Sequence, residues 1–204
     1  MSRLFIVRHG NTFAPNETPR RIGARTDLPL VASGIAQAER LGQEFAAEGL
    51  RFTRALLSPL LRTRQTLETL VERLDYAPSV ETVDWLAEID HGPDEDRTDT
   101  EIIARIGEEG LRQWDSEALP PPGWNVDGPA RLLAWQTLFA DTAGRDQDIL
   151  IVTSNGSARF ALMAHDDLLA SAGPSLKMRT GAWGRIDIDR EGRPKLVEWD
   201  RRPG

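Results

Sequence analysis

The chain is sparing with reactive side chains. It has no cysteine and three histidines, His9, His91 and His165. That removes thiolate nucleophiles, thiolate metal sites and disulfides. No pair of histidines shows the H-E-x-x-H spacing of a zinc site. One histidine stands out by its neighbours. The apolar run Leu4-Phe5-Ile6-Val7 stops at Arg8-His9-Gly10, which joins a fixed cation to a titratable nucleophile. A neutral imidazole can attack phosphorus, and guanidiniums can hold phosphoryl oxygens two at a time. The same pair also suits a surface loop or a histidine satisfied by its surroundings. Two further polar clusters end apolar runs: Ser58, with Arg62 four residues on, and Ser154-Asn155-Gly156. The patterns G-x-x-x-x-G-K, G-x-G-x-x-G and G-x-S-x-G are absent. A P-loop, a dinucleotide fold and an α/β-hydrolase are therefore poor readings.

Clusters of this kind need strands that end side by side. Leu4–Val7, Ala55–Leu57 and Ile149–Val152 read as short buried strands, with Ser79–Val83 as another candidate. Between them apolar residues recur at helical spacing. Ile35, Ala38, Leu41 and Phe45 predict a helix over Ser33–Glu48. Leu60, Leu67, Leu70, Val71 and Leu74 predict a second, with Ser58-Pro59 as its N-cap and first-position proline. Ile102, Ile103, Ile106 and Leu111 suggest a third, weakened by Gly107 and Gly110. Further helices fall at Leu132–Phe139 and after Asn155 through Phe160. Asn11–Val31, with three prolines and no period, reads as a loop, as does Leu119–Pro129. The tail predicts a hairpin, Arg185–Asp189 and Lys195–Trp199, turning at Glu191-Gly192. The alternation implies one domain over residues 1–204 of α/β class. It would be three-layered, with a mainly parallel sheet and helices on both faces. Ligands of such sheets bind beyond the carboxyl ends of the strands, where the three polar clusters fall.

Composition narrows the partners. The 204 residues carry a net charge of −7, which argues against nucleic acid or a membrane surface as a partner. Apolar residues at 40% and charged residues at 28% are ordinary for a globular chain. The longest apolar run is five residues, Phe160 to Ala164, where a membrane span needs about 18. The cytoplasm is the expected location.

Leu4-Phe5-Ile6-Val7-Arg8-His9-Gly10-Asn11-Thr12 resembles the opening signature of the histidine phosphatase superfamily, in its phosphoglycerate mutase-like branch. Later blocks follow in order. They are Gly23 with Thr26-Asp27-Leu28-Pro29-Leu30, Gly34 with Gln37-Ala38, Ser58-Pro59-Leu60-Leu61-Arg62 with Thr66, and Leu86-Ala87-Glu88 with Gly92. The resemblance implies a phosphoglycerate mutase-like fold with His9 as the phosphate-accepting nucleophile. Arg8 and Arg62 would bind the phosphoryl group. Glu88 would protonate the leaving oxygen and then act as base for water, and a buried carboxyl there is expected to have a raised pKa. Asp90, Asp94, Glu95 and Asp96 are competing acids close by. Asn11, Thr12 and Gly23 would face the substrate. Trp124 either lines the substrate mouth or packs. The implied partner is a small phosphorylated substrate, with no metal and no cofactor.

The departures matter as much. Asn155 falls where the family pattern has its second histidine, and its amide would offer the phosphoryl group a neutral donor. Charged hydrogen bonds are roughly twice as strong. His91 is expected on an exposed loop, with entry into the site as the alternative, and His165 on the next helix. Pro15 stands where the family has asparagine, and Trp124-Asn125-Val126 follows Gly123 in place of the usual Gly-Glu-Ser step. The implied function is phosphomonoester hydrolysis through phosphohistidine, of the histidine acid phosphatase kind. The alternatives are a catalytically impaired phosphoester-binding or scaffold protein of the same fold, and a phosphoglycerate mutase.

Overall fold

The structure is a computed structural model that describes residues 1–173 and 175–204. Strand β1 (Ser2–Arg8) opens the chain, and a long connection holds a two-residue strand β2 (Arg20–Arg21) before helix α1 (Ala32–Ala47). Then follow β3 (Phe52–Leu57), α2 (Leu61–Val71), β4 (Ser79–Thr82), β5 (Arg97–Thr98) and α3 (Asp99–Glu117). Helix α4 (Gly128–Thr142), β6 (Asp148–Thr153), α5 (Asn155–Met163) and α6 (Asp166–Ser171) lead to the hairpin β7 (Trp183–Ile188) and β8 (Pro194–Arg201). The main sheet has six strands in the order β4-β3-β6-β1-β7-β8. Strands β4, β3, β6 and β1 are parallel, and β7 and β8 are antiparallel. This is the mainly parallel α/β architecture that the strand–helix alternation implies.

Alternation along β1 explains the layers. Leu4 and Ile6 face one side, where they join Ile149, Ile151, Ile186 and Ile188 beneath α3 to α6. Phe5 and Val7 face the other, where they meet Leu150, Val152, Leu41, Phe45, Leu67 and Leu70 beneath α1 and α2. A strand buried on both faces has no polar alternation, so the centres of β1 and β6, Leu4–Val7 and Ile149–Val152, are continuous apolar runs. Phe5 anchors its side through edge contacts with Phe45 and Phe52 at 5.8 and 5.3 Å between ring centres. Register places Arg8 opposite Thr153 and Leu57 opposite Val152, so three parallel strands end at one level.

Three local expectations are corrected. Helix α2 starts at Leu61 rather than at Pro59. Ser58 stays attached to the sheet, its N–H donating to Val152 O at 3.1 Å, and the first helical N–H, of Leu61, is capped by Asp27 Oδ1 at 2.7 Å. The segment 11–31 is not wholly irregular, because β2 pairs antiparallel with β5. Gly128-Pro129 belongs to α4 and not to the preceding loop, since Asp127 caps that helix by accepting from Ala130 N at 3.1 Å. The glycine expected to weaken α3 does so: Gly107 has φ 78° and ψ 160°, a non-helical kink in mid-helix.

Candidate active site

The loop after β1 is built for close approach. A Cβ on Gly10 would overlap the backbone of Gly34, and one on Gly34 the backbone of Asn11. The start of α1 therefore lies directly on the segment that carries His9. From the other side Gly10 N donates to Thr66 Oγ1 at 3.1 Å, and that hydroxyl donates to Arg62 O at 2.7 Å. His9 is buried, with Nδ1 2.8 Å from Gly10 O. A carbonyl only accepts, so Nδ1 carries the proton and Nε2 keeps a free lone pair. Burial, with Arg62 and Arg8 beside it, holds the imidazole well below its ordinary 6.5. The ring is neutral at neutral pH.

Arg8 and Arg62 remain cations. Burial lowers Arg8 to about 10, and burial also lowers Arg62, against the pull of Glu88, Asp27 and Glu95. Arg8 Nη1 donates to Met178 O at 2.6 Å. Arg62 is fully buried on α2 and donates to Thr26 O at 2.9 Å and Gly23 O at 3.2 Å. Arg8 Nε and Arg62 Nε are buried without a partner, as are His91 Nδ1, Ser154 Oγ, Asp115 Oδ1 and Arg159 Nη2. Buried donors without acceptors are costly, and an anion in the cleft would satisfy that of Arg8, which lines it.

Glu88 reaches the same place from the segment after β4. Its Oε1 accepts from Ile89 N at 2.9 Å and its Oε2 from Gly156 N, at the start of α5, at 3.1 Å. Burial works to raise its pKa, but His91, those two N–H donors and Arg62 together hold it below the ordinary 4.5. This corrects the expected upward shift: the carboxyl is held below its ordinary value. The neighbouring acids have other partners. Asp94 is committed to Arg105 and to Trp124 Nε1, the latter at 2.6 Å. Glu95 accepts from Gly23 N and Thr26 Oγ1, both at 2.7 Å, and Asp90 pairs with Arg25. Asp96 pairs with Arg20.

These groups open onto a cleft of about 260 Å³. Arg8, His9, Thr12, Glu88 and Asn155 line it, with His91. Asn155 heads α5, and its Oδ1 accepts from Met178 N at 2.8 Å, which leaves its NH₂ as the free donor. His91 is corrected from an exposed position: it is buried against Trp124, ring centres 4.5 Å apart. His165 lies away from the cleft at the N-cap of α6, where Nδ1 accepts from Asp167 N. Arg62 stands behind the wall rather than on it. So do Asn11, which is bonded to Gln37, Ser33 and Thr180, and Gly23, which ties Arg62 to Glu95. Trp124 packs; its indole faces Asp94, Trp114 and His91 and does not line the cleft. Residues that sequence reasoning missed complete the surroundings. Arg20, Arg21, Asp99, Trp114, Asp115 and Lys177 line the outer part. Arg159, a turn along α5 from Asn155, is fully buried over the Trp114 ring at 4.1 Å. Its charge amid Ala158, Phe160 and Ala161 was the available signal. Among the described residues no group of three or more His, Asp or Glu side chains is placed to hold a metal ion. No helix there is long and apolar enough to cross a membrane.

The three-layer α/β fold sets a buried, neutral histidine beside two arginines at the carboxyl ends of its parallel strands. The chain belongs to the histidine phosphatase superfamily (branch 1), whose pattern it matches over residues 4–201. It is 31% identical over 188 residues to the 2,3-bisphosphoglycerate-dependent phosphoglycerate mutase of Brucella ovis, covering 89% of this chain and 90% of that one. The mutase of the same name from Beijerinckia indica is 30% identical over 188 residues, covering 89% of each. Among solved structures, YhfR of Bacillus stearothermophilus superposes with a TM-score of 0.77 at 22% identity, covering 98% of this chain and 97% of that one. A mycobacterial glucosyl-3-phosphoglycerate phosphatase does so with a TM-score of 0.74 at 21% identity, covering 98% and 99%. At such identities these two likenesses concern the fold.

Proposed function

We propose that the protein is a phosphomonoester hydrolase that works through a phosphohistidine on His9. The observation that carries the reading is the His9 imidazole itself, neutral, with Nδ1–H held by Gly10 O and buried beside Arg8 and Arg62. Nε2 attacks phosphorus while the bond to the ester oxygen breaks. The Arg8 and Arg62 charges balance the phosphoryl oxygens, and Asn155 adds a neutral N–H at the place where the family pattern has a second histidine. Glu88 protonates the departing oxygen. An arriving phosphoryl dianion raises the pKa of a neighbouring carboxyl, which turns Glu88 into an acid when substrate is bound. Glu88 then takes a proton from water as that water attacks the phosphohistidine and releases inorganic phosphate.

The test is to quench a reaction with a radiolabelled activated phosphate ester and look for an acid-labile, base-stable phosphoenzyme. It should form in the wild type and be absent in His9→Ala, together with phosphate release. Full activity in His9→Ala overturns the reading. A mutase reading has the names of the sequence relatives in its favour, and the same label would then move between phosphoglycerates instead of into free phosphate. Binding of phosphate esters by the wild type without any turnover would make it a binding protein.

A further inference from the structure

Beyond the reacting groups, the cleft is rimmed by matched charge rather than free charge. Arg20, Arg21 and Lys177 line its outer part. Arg20 Nε donates to Asp96 Oδ1 at 2.7 Å, Arg21 Nε donates to Asp99 Oδ1 at 2.8 Å, and Lys177 Nζ pairs with Asp115. Asp99 and Asp115 line the cleft themselves. At the inner end Arg8 and Arg62 face Glu88, and buried Arg159 lies over Trp114 within the field of both Glu88 and Asp115. That arrangement serves one phosphoryl group. Asp115 adds a positive requirement: its Oδ2 meets Lys177, while its Oδ1 is buried without a donor. A carboxylate oxygen can only accept, so the outer cleft has an unmet need for an O–H or N–H. Thr12 and Thr180 add hydroxyls that can answer polar groups on a bound molecule. A second anion placed there would meet Asp99 and Asp115 at short range, where like charges disfavour one another.

We propose that the outer cleft selects monophosphate esters of neutral, hydroxyl-bearing alcohols and turns away esters that carry a second anionic group. Asp115 and Asp99 are the discriminating residues. The inference rests on the phosphohydrolase reading and names its substrate class.

Glycerol phosphate and 3-phosphoglycerate make the comparison, because they differ in a hydroxymethyl against a carboxylate. The wild type should favour glycerol phosphate in kcat/KM by about tenfold or more, equivalent to roughly 1.4 kcal/mol. Asp115→Asn frees the Lys177 charge and Asp99→Asn frees that of Arg21, and each should move the ratio toward 3-phosphoglycerate. The ratio is the readout, so a variant that is partly unfolded still reports. A wild type that handles the two esters equally, or prefers 3-phosphoglycerate, overturns the inference. So does a ratio that neither substitution moves. p-Nitrophenyl phosphate separates the two levels. If the wild type hydrolyses it but shows no preference within the pair, only this inference fails; if it does not, the phosphohydrolase reading fails and takes this one with it.

Discussion

Gly156→Ala tests the acid role of Glu88 without altering a charged or nucleophilic residue. A Cβ built on Gly156 overlaps Glu88 Oε1, and it lies 3.0 Å from the carboxyl carbon and 3.1 Å from Ile89 Cγ1. Carbon atoms settle about 3.5–4.0 Å apart, so the carboxyl carbon must retreat by roughly 0.5–1 Å and Oε1 by more. The carboxyl's bond from Gly156 N at 3.1 Å is strained at the same time. A misplacement of about 1 Å at a catalytic group can cost on the order of 10²-fold. Loss of the helix is not the expected route, because alanine is the better helix former. The assay compares an alkyl phosphate with p-nitrophenyl phosphate. An alkoxide needs its proton as it leaves, whereas nitrophenolate departs well without one. Gly156→Ala should therefore lower kcat on the alkyl ester by about 10²-fold and on the aryl ester far less. An equal loss on both esters, or a variant indistinguishable from wild type on the alkyl ester, would refute Glu88 as the acid.

Other outcomes follow from the same geometry. Asn155→Asp keeps the oxygen that accepts from Met178 N but replaces the NH₂ donor with a second anion in the cleft. Phosphate release should fall by about 10²-fold in steady-state kinetics. Because His9 is held well below 6.5 by burial and its two arginines, the unfolded chain binds more protons at this position than the folded one below that pH. Stability should then drop as pH falls through and below about 6.5, and urea midpoints against pH should show a smaller drop in His9→Gln. Burial works to raise Glu95, but His91, Thr26 and backbone N–H groups hold it down at about 2. Its contribution is present above about 4.5 and is lost as pH falls toward 2. Glu95→Gln should remove that part of the acid limb. Arg159→Ala loses the stack on Trp114 and the bond to Trp114 O, and should destabilise the fold by roughly 2–3 kcal/mol in chemical denaturation.

The centre of the site was legible because it sits where buried strands end. The apolar runs Leu4–Val7 in β1 and Ile149–Val152 in β6 stop at polar clusters, so Arg8-His9 and Ser154-Asn155 stand out as residues carried to the sheet edge. Trp124 could not be read that way. Whether an indole packs or faces substrate depends on a partner 30 residues away, Asp94, and no local pattern names it. The burial of His91 has the same cause, since its neighbour Trp124 comes from a distant loop. The outer cleft was invisible for a related reason. Arg21 and Asp99 are 78 residues apart and Lys177 and Asp115 are 62 apart, and they meet only through the β2–β5 pairing and the path of α3. The pKa of Glu88 falls although the residue is buried, because His91, Ile89 N and Gly156 N oppose the burial, and Gly156 reaches it only through the packing of α5.

The kink at Gly107 has a consequence for how this protein can diverge. A straight helix of 1.5 Å per residue would separate Asp99 from Asp115 by about 24 Å. Both instead line one cleft, because α3 bends back at a glycine with φ 78°. The residues of the proposed reaction come from β1, α2, the segment after β4 and α5, while α3 supplies none of them. Innovation in what is accepted can therefore accumulate in a single cassette, residues 99–117. A change in the bend or length of that cassette resizes the mouth while the residues of the proposed reaction stay on other elements.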